Sequence, residues 1–182
     1  PLISACNGVA VGVGVTMQLA MDMRLAVSHA RYGFVFARRG IVPEAASSWF
    51  LPRIVGISQA FEWCYSGRIF GAEEAKEGGL VRSIHGPDEL QFAARELARE
   101  IVENTSPVSV SITRAMMWRL MNTDHPMEAH KIDSRTIYRL SRGKDAKEGI
   151  ASFLEKRRPV YPGKVSEDMP DFYPWWDEKT YE

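Results

Sequence analysis

Two glycines one residue apart, Gly12 and Gly14, stand between a short apolar run and the start of a helical pattern, and this junction restricts the fold more than any other feature of the chain. Residues 2–11 (LISACNGVAV) carry the turn dipeptide Asn7-Gly8 and suit a buried strand that bends at the glycine. Behind the glycines, Val15, Met17, Leu19 and Ala20 with Gln18 and Asp22 read as a short, mostly buried helix, and residues 23–28 (MRLAVS) as the next strand. A second round follows. Residues 31–36 are strand-like, residues 40–44 form a turn, and a helix opens at Ala45 behind Pro43, a favoured place for proline at a helix start. Strand, turn, helix and strand in repetition predict one layered α/β body.

The pattern changes after Leu80-Val81-Arg82-Ser83-Ile84. Residues 88–103 place Leu90, Ala93, Ala94, Leu97 and Ile101 at helical spacing, and residues 107–121 continue with Val108, Ile112, Met116 and Leu120. Asp124 is placed to cap a further helix ending at Leu140, and Asp145 with Glu148 resembles a capping box ahead of Ile150, Phe153 and Leu154. An α/β half is therefore followed by a helical half. The remaining stretch holds Pro159, Pro162, Pro170 and Pro174 with Trp175 and Trp176, and reads as an irregular arm whose aromatics pack on something.

Composition removes several function classes. Lys+Arg 23 against Asp+Glu 23 leaves no net charge to attract a nucleic-acid backbone. Cys6 and Cys64 supply neither a disulfide framework nor a zinc knuckle, and His29, His85, His125 and His130 are scattered without metal-ligand spacing, so no metal is expected. The default compartment is then a reducing interior: the cytoplasm, or a mitochondrion or peroxisome in a eukaryote. Charges interrupt every apolar stretch before the roughly 18 residues that would span a bilayer. At 182 residues the chain can bury about 70% of its unfolded surface without staples. It opens on Pro1 directly in an apolar segment with no charged region before it, as if entered in mid-domain.

Few residues offer chemistry. Backbone N–H groups at the Gly12-Val13-Gly14 turn can converge on an oxyanion or a phosphate, or the turn can simply let the helix pack on the strand. It is not a dinucleotide fingerprint, because Met17 stands where the third glycine belongs. Glu44, in Pro43-Glu44-Ala45-Ala46-Ser47-Ser48, either complements the dipole of the following helix or serves as a base. Lys156 either ends a helix or meets a phosphate. Arg38-Arg39 and Arg157-Arg158 read as solvated charges, and Ser47-Ser48 lacks the glycines of a nucleophile elbow.

The stretch PLISACNGVAVGVGVTMQLAMDMRLA resembles the signature of the crotonase (enoyl-CoA hydratase/isomerase) superfamily, and later segments agree in order and spacing. These are Gly40-Ile41-Val42-Pro43-Glu44, Leu51-Pro52-Arg53-Ile54-Val55-Gly56, Ala72-Glu73-Glu74-Ala75 with Gly79-Leu80-Val81, and Phe153-Leu154-Glu155-Lys156-Arg157. The resemblance implies an α/β fold: residues 1–85 as the C-terminal part of a spiral of ββα turns, residues 86–158 as a helical region that trimerises, and residues 159–182 as the aromatic, proline-rich arm. It further implies an acyl-CoA thioester as substrate, a homotrimer or hexamer, and no cofactor, since coenzyme A is part of the substrate.

On that resemblance the thioester oxygen is held by two backbone N–H groups, one of them from Val13, with Gly12 and Gly14 beside it. The second donor and the adenine-binding segment belong to a part of the fold expected before Pro1. The two glutamates of the hydratases fall on Thr16 and Phe36, neither of which can move a proton. Glu44 instead sits where the peroxisomal-type 3-enoyl to 2-enoyl-CoA isomerases, which this segment also resembles, place a single glutamate. An acyl pocket lined by Phe36 and Trp49 would desolvate that carboxylate and raise its pKa. Phe153 and Lys156 would contact the nucleotide of CoA bound by a neighbouring subunit. The implied activity is that of an enoyl-CoA hydratase/isomerase with Glu44 as acid/base. Alternatives are a crotonase-type hydrolase, a hydratase with a rearranged acid, or a non-catalytic CoA-binding scaffold.

Overall fold

The computed structural model describes residues 1–181 and divides into two compact units, Pro1–Ala98 and Arg99–Glu182. In the first unit, the apolar opening forms two strands, β1 (Ile3–Cys6) and β2 (Val9–Val11), which part at Asn7-Gly8 and enter different sheets. Helix α1 (Val13–Leu19) follows at once. The next turn repeats the order with β3 (Met23–Val27) and β4 (Arg31–Gly33). Strand β3 pairs parallel with β1 (Ala5 opposite Leu25), and β4 pairs parallel with β2 (Ala10 opposite Tyr32). Each ββα turn thus adds one strand to each of two sheets.

Strand β4 ends three residues before the sequence pattern predicts. Its partner β2 stops at Val11, opposite Gly33, and the Gly33 carbonyl accepts a bond from the Gly12 N–H (3.0 Å) where the chain turns into α1. Phe34 and Phe36, left without a strand to pair with, bury their rings in the core instead, at 0% and 6% exposure. A single 3-10 turn (Ala37–Arg39) closes this segment.

Helix α2 (Ser47–Val55) starts two residues later than the pattern placed it. Ala45 and Ala46 adopt left-handed backbone (φ 51° and 55°), so the chain behind Pro43 makes a tight turn before any helical bond forms. Non-glycine residues take that conformation at a cost of about 1–2 kcal/mol each, and the surrounding contacts must hold them there. Helix α3 (Ile57–Ser66), strand β5 (Phe70–Gly71, antiparallel to β4), helix α4 (Ala72–Glu77) and strand β6 (Ser83–His85, parallel to β3) complete the layers. Trp63, Phe70 and Phe34 stack at the centre, with Trp63 and Phe70 4.2 Å apart and 13° from parallel. The indole N–H of Trp63 donates to Glu74 (2.8 Å), whose carboxylate also accepts from Arg68 (2.7 Å). Each fully buried aromatic or aliphatic side chain in this cluster contributes about 1.5–3 kcal/mol.

Helix α5 (Leu90–Asn104) has residues in both units, and the second unit continues with α6 (Pro107–Leu120), α7 (Pro126–Leu140) and α8 (Lys144–Glu155). Ser106 caps α6 by accepting from the Ser109 N–H (3.2 Å), with Pro107 at the first helical position. The cap of α7 is His125, not Asp124, because its Nδ1 accepts from the Met127 N–H (3.1 Å) ahead of Pro126. Asp145 and Glu148 form no capping box. Asp145 accepts from the Ser106 hydroxyl (2.5 Å) and the Gly163 N–H (2.8 Å), while Glu148 accepts from Arg157 (2.6 Å) and the Val160 N–H (2.7 Å). Both acids therefore hold the chain that leaves α8. Residues 157–181 are irregular; there Tyr173, Trp175 and Trp176 cluster, Arg119 of α6 lies over the Trp176 ring (4.2 Å) and Arg135 of α7 over Phe172 (4.1 Å). The last position of the arm, residue 182, lies outside the described residues. Among the described residues no helix is long and apolar enough to cross a membrane.

Candidate active site

The glycine turn presents bare backbone. Gly12 has positive φ (59°, with ψ −125°), a conformation that favours glycine, and its carbonyl accepts from the N–H groups of both Val15 and Thr16 (3.1 Å each) to start α1. A Cβ built on Gly12 or Gly14 would meet nothing within 4 Å, so open space lies above the turn. Val13 is the first residue of α1, and a helix has no internal acceptor for its first N–H groups. Its side chain is 65% exposed. Beneath the turn, Gln18 clamps the helix to β1: its amide donates to the Gly14 carbonyl (2.8 Å) and accepts from the Ser4 hydroxyl (3.0 Å). Tyr32 lies in the same core, where burial, with the Cys6 thiol beside it, pushes its phenol far above the usual range and keeps it neutral.

Glu44 comes to this turn from the next round of the fold. The hydroxyl of Thr16, a 1% exposed residue in α1, donates to Glu44 Oε1 at 2.5 Å. The backbone of Glu44 is fixed separately, since its carbonyl accepts from the Ser47 hydroxyl (2.6 Å) and the Ser47 N–H (3.0 Å) across the two left-handed alanines. Glu44 precedes α2 by three residues and is not in its first turn, so its carboxylate is directed to α1 and not to the dipole of the helix that follows it.

The enclosure expected around Glu44 is not formed by this chain. Glu44 is exposed, Phe36 is packed into the core, and the Trp49 ring is covered by the Arg53 guanidinium (4.3 Å) and meets Phe50 edge-on (4.7 Å). Aromatic rings find stronger contacts with one another and with a cation than with a solvated carboxylate. Phe153 and Lys156 belong to the second unit, at the end of α8: Phe153 is 81% exposed and Lys156 closes the helix in left-handed backbone (φ 54°). Among the described residues no group of three or more His, Cys, Asp or Glu side chains is arranged to hold a metal ion.

Two residues of this arrangement carry no signal in the sequence. Thr16 reads as a lost glutamate and Ser47 as a false nucleophile, yet one holds the carboxylate of Glu44 and the other its carbonyl. Thr16 and Glu44 are 28 positions apart, and only the stacking of successive ββα turns brings them together.

The sequence pattern of the enoyl-CoA hydratase/isomerase family matches residues 1–164. The chain is 41% identical over 168 residues to the enoyl-CoA hydratase ACTT3 of Alternaria alternata, covering 92% of the chain and 56% of that protein. It is 32% identical over 165 residues to the 1,2-epoxyphenylacetyl-CoA isomerase of Escherichia coli, covering 90% of the chain and 62% of the relative. A crystal structure of an enoyl-CoA hydratase from Bacillus anthracis superimposes with a TM-score of 0.86 at 34% identity, over 90% of the chain and 63% of that structure. The chain thus spans between 56% and 63% of the length of these relatives. With the paired ββα turns, the glycine junction before α1 and a match across nearly the whole chain, the protein belongs to the enoyl-CoA hydratase/isomerase family of the crotonase superfamily.

Proposed function

We propose that the full-length protein acts on an acyl-CoA thioester, holding the carbonyl oxygen of an enolate with the Val13 N–H as one donor and moving a proton with Glu44. The observation that carries this reading is the bond from Thr16 to Glu44, which brings a carboxylate to the first turn of α1, three residues from Val13. A thioester carbonyl makes the protons on its α carbon acidic, and hydrogen bonds to the oxygen stabilise the enolate as charge develops. The isomerase form of this chemistry needs one carboxylate. Glu44 takes a proton from C2 of a 3-enoyl thioester, the C–H electron pair forms the dienolate, and the carboxylic acid returns the proton at C4 to leave the 2-enoyl thioester. No cofactor is required, since the thioester supplies the acidity and the glutamate the proton path. Thr16 and Phe36 at the two hydratase positions favour this form over water addition.

Assembly as a homotrimer or hexamer is part of the same reading, supported by the apolar side chains that α7 and α8 leave exposed: Ile137, Ile150, Phe153 and Leu154 are each more than 60% accessible. Lys156 and Phe153 then serve the nucleotide end of CoA. The exposure of Glu44 supports a second reading, a CoA-binding scaffold without turnover. The two are separated by Glu44→Gln in the full-length protein, which keeps size and the Thr16 contact but removes the base. Double-bond migration from a 3-enoyl-CoA and water addition to a 2-enoyl-CoA are followed together. The expected result is a fall of about 10²–10⁴ in migration with thioester binding nearly unchanged. Undiminished turnover in both reactions would move the chemistry away from Glu44, and CoA-ester binding with no turnover by the unsubstituted protein would favour the scaffold.

A further inference from the structure

The Thr16 hydroxyl has one proton and two acceptors in reach: the carbonyl of Val13 in its own helix at 3.4 Å and Glu44 Oε1 at 2.5 Å. Threonine in a helix ordinarily returns its hydroxyl to the backbone three or four residues earlier. Here the carboxylate is both the nearer and the stronger acceptor, so the proton goes to Glu44. Thr16 is 1% exposed and its backbone is tied into α1, whereas Glu44 is an exposed residue with a long side chain. Left alone, such a side chain populates many rotamers and aims its carboxylate in few of them. The turn carrying it is already held at the other end by Ser47.

We propose that Thr16 is a positioning residue: it occupies Glu44 Oε1 and so leaves Oε2 as the single oxygen that accepts and returns the substrate proton. Fixing the carboxylate from a buried, β-branched position makes the base available in one orientation, with the rotamer entropy lost in folding and not at the moment of proton transfer. The position that cannot move a proton thereby decides which atom of Glu44 does.

This inference rests on the reading of Glu44 as the base, and the experiment separates the two. In the full-length protein, deuterium uptake at the α carbon of an acyl-CoA is measured for Thr16→Val, Thr16→Ser, Glu44→Gln and Thr16→Val combined with Glu44→Gln. Thr16→Val removes the hydroxyl while keeping the branched shape. It should lower kcat about 10- to 30-fold with KM within about twofold, in keeping with a hydrogen bond to a charged group at a partly solvated site. Thr16→Ser should stay within about threefold of the unsubstituted protein. In the Glu44→Gln background, Thr16→Val should cost nothing further, because the carboxylate it positions is gone. Unchanged kcat in Thr16→Val together with loss in Glu44→Gln would overturn the positioning role and leave the base in place. Undiminished exchange in Glu44→Gln, or no exchange by the unsubstituted protein, would overturn both. Equal losses in the valine and serine variants would show that Thr16 only packs. Should the valine variant not fold, Thr16→Ala is compared with Thr16→Ser, and equal turnover in that pair overturns the proposal.

Discussion

Replacing Gly78 by alanine sets a methyl group against the fully buried ring of Trp63. Gly78 closes α4 with right-handed backbone (φ −75°, ψ 0°), so conformation gives no reason for glycine there. Space does, because a Cβ at this position would lie 2.6 Å from Cη2 and 2.7 Å from Cζ2 of Trp63. Carbon atoms at rest are about 3.5–4.0 Å apart, so the ring or the helix end must retreat by about 1 Å. The ring has nowhere to go: Trp63 is fully buried, stacked 4.2 Å from Phe70, and bonded through Nε1 to Glu74 at 2.8 Å. The helix end is held as well, since the Gly78 N–H donates to the Glu74 carbonyl at 2.9 Å. Overpacking of this kind costs about 1–3 kcal/mol, and the upper part of that range applies where neither partner yields. Alanine stiffens the unfolded chain and returns about 0.4–1 kcal/mol, leaving a net loss of about 1–2.6 kcal/mol. At about 2–4 °C per kcal/mol for a protein of this size, Tm should fall by roughly 2–10 °C. Urea unfolding followed by circular dichroism checks the value, and the slope should stay constant while the midpoint drops. Gly14→Ala is the control, since its Cβ meets nothing within 4 Å and its position is helical; it should gain about 0.5–1 kcal/mol. A Gly78→Ala protein as stable as its parent would refute the packing argument.

Glu148 gives a dependence on acid. Two bonds from Arg157 and one from the Val160 N–H hold its carboxyl down to about 2, against 4.5 for an unpaired glutamate, so the contribution is complete above about pH 4.5 and is lost as pH falls toward 2. Amide exchange at Val160 should rise across that window, and a flat profile, or the same profile in Glu148→Gln, would remove Glu148 as the cause. If Lys156 serves the nucleotide end of the substrate, Lys156→Ala should weaken CoA about 3- to 10-fold, more at low salt than at high, while leaving a pantetheine thioester unaffected; equal losses for both ligands would make it a surface charge. Light scattering on the full-length protein should return a trimer or hexamer at micromolar concentration, and a monomer would contradict the role given to the exposed faces of α7 and α8.

Elements set by neighbouring residues are legible in the sequence. Apolar runs of strand length, glycines at junctions and helical periodicity are properties of short stretches, and they place β3, α1 and the four long helices within a few residues, whereas the one bent strand expected over residues 2–11 is two strands in different sheets. Elsewhere the structure departs from the local pattern. Strand β4 was cut short by the end of its partner β2, the start of α2 was displaced by a turn held from Ser47, and Asp145 and Glu148 bind the chain that leaves α8. For β4 and for the two acids a contact with another part of the chain, and for α2 a turn closed within three residues, outweighed a local preference worth about 1 kcal/mol or less.

The candidate site divides along the same line. Residue type and immediate neighbours are enough to show a glycine turn ahead of α1 and a glutamate in a proline turn, while the resemblance to the crotonase superfamily is what marks Glu44 as the candidate acid. That α1 and Glu44 meet is a property of the packed chain. Parallel pairing of β2 with β4 stacks one ββα turn on the previous one, and that register delivers Glu44 to the hydroxyl of Thr16. It also put Phe36 into the core and left Glu44 open to solvent, since the burial of a side chain is set by what the whole fold packs around it and not by the residues beside it in the chain.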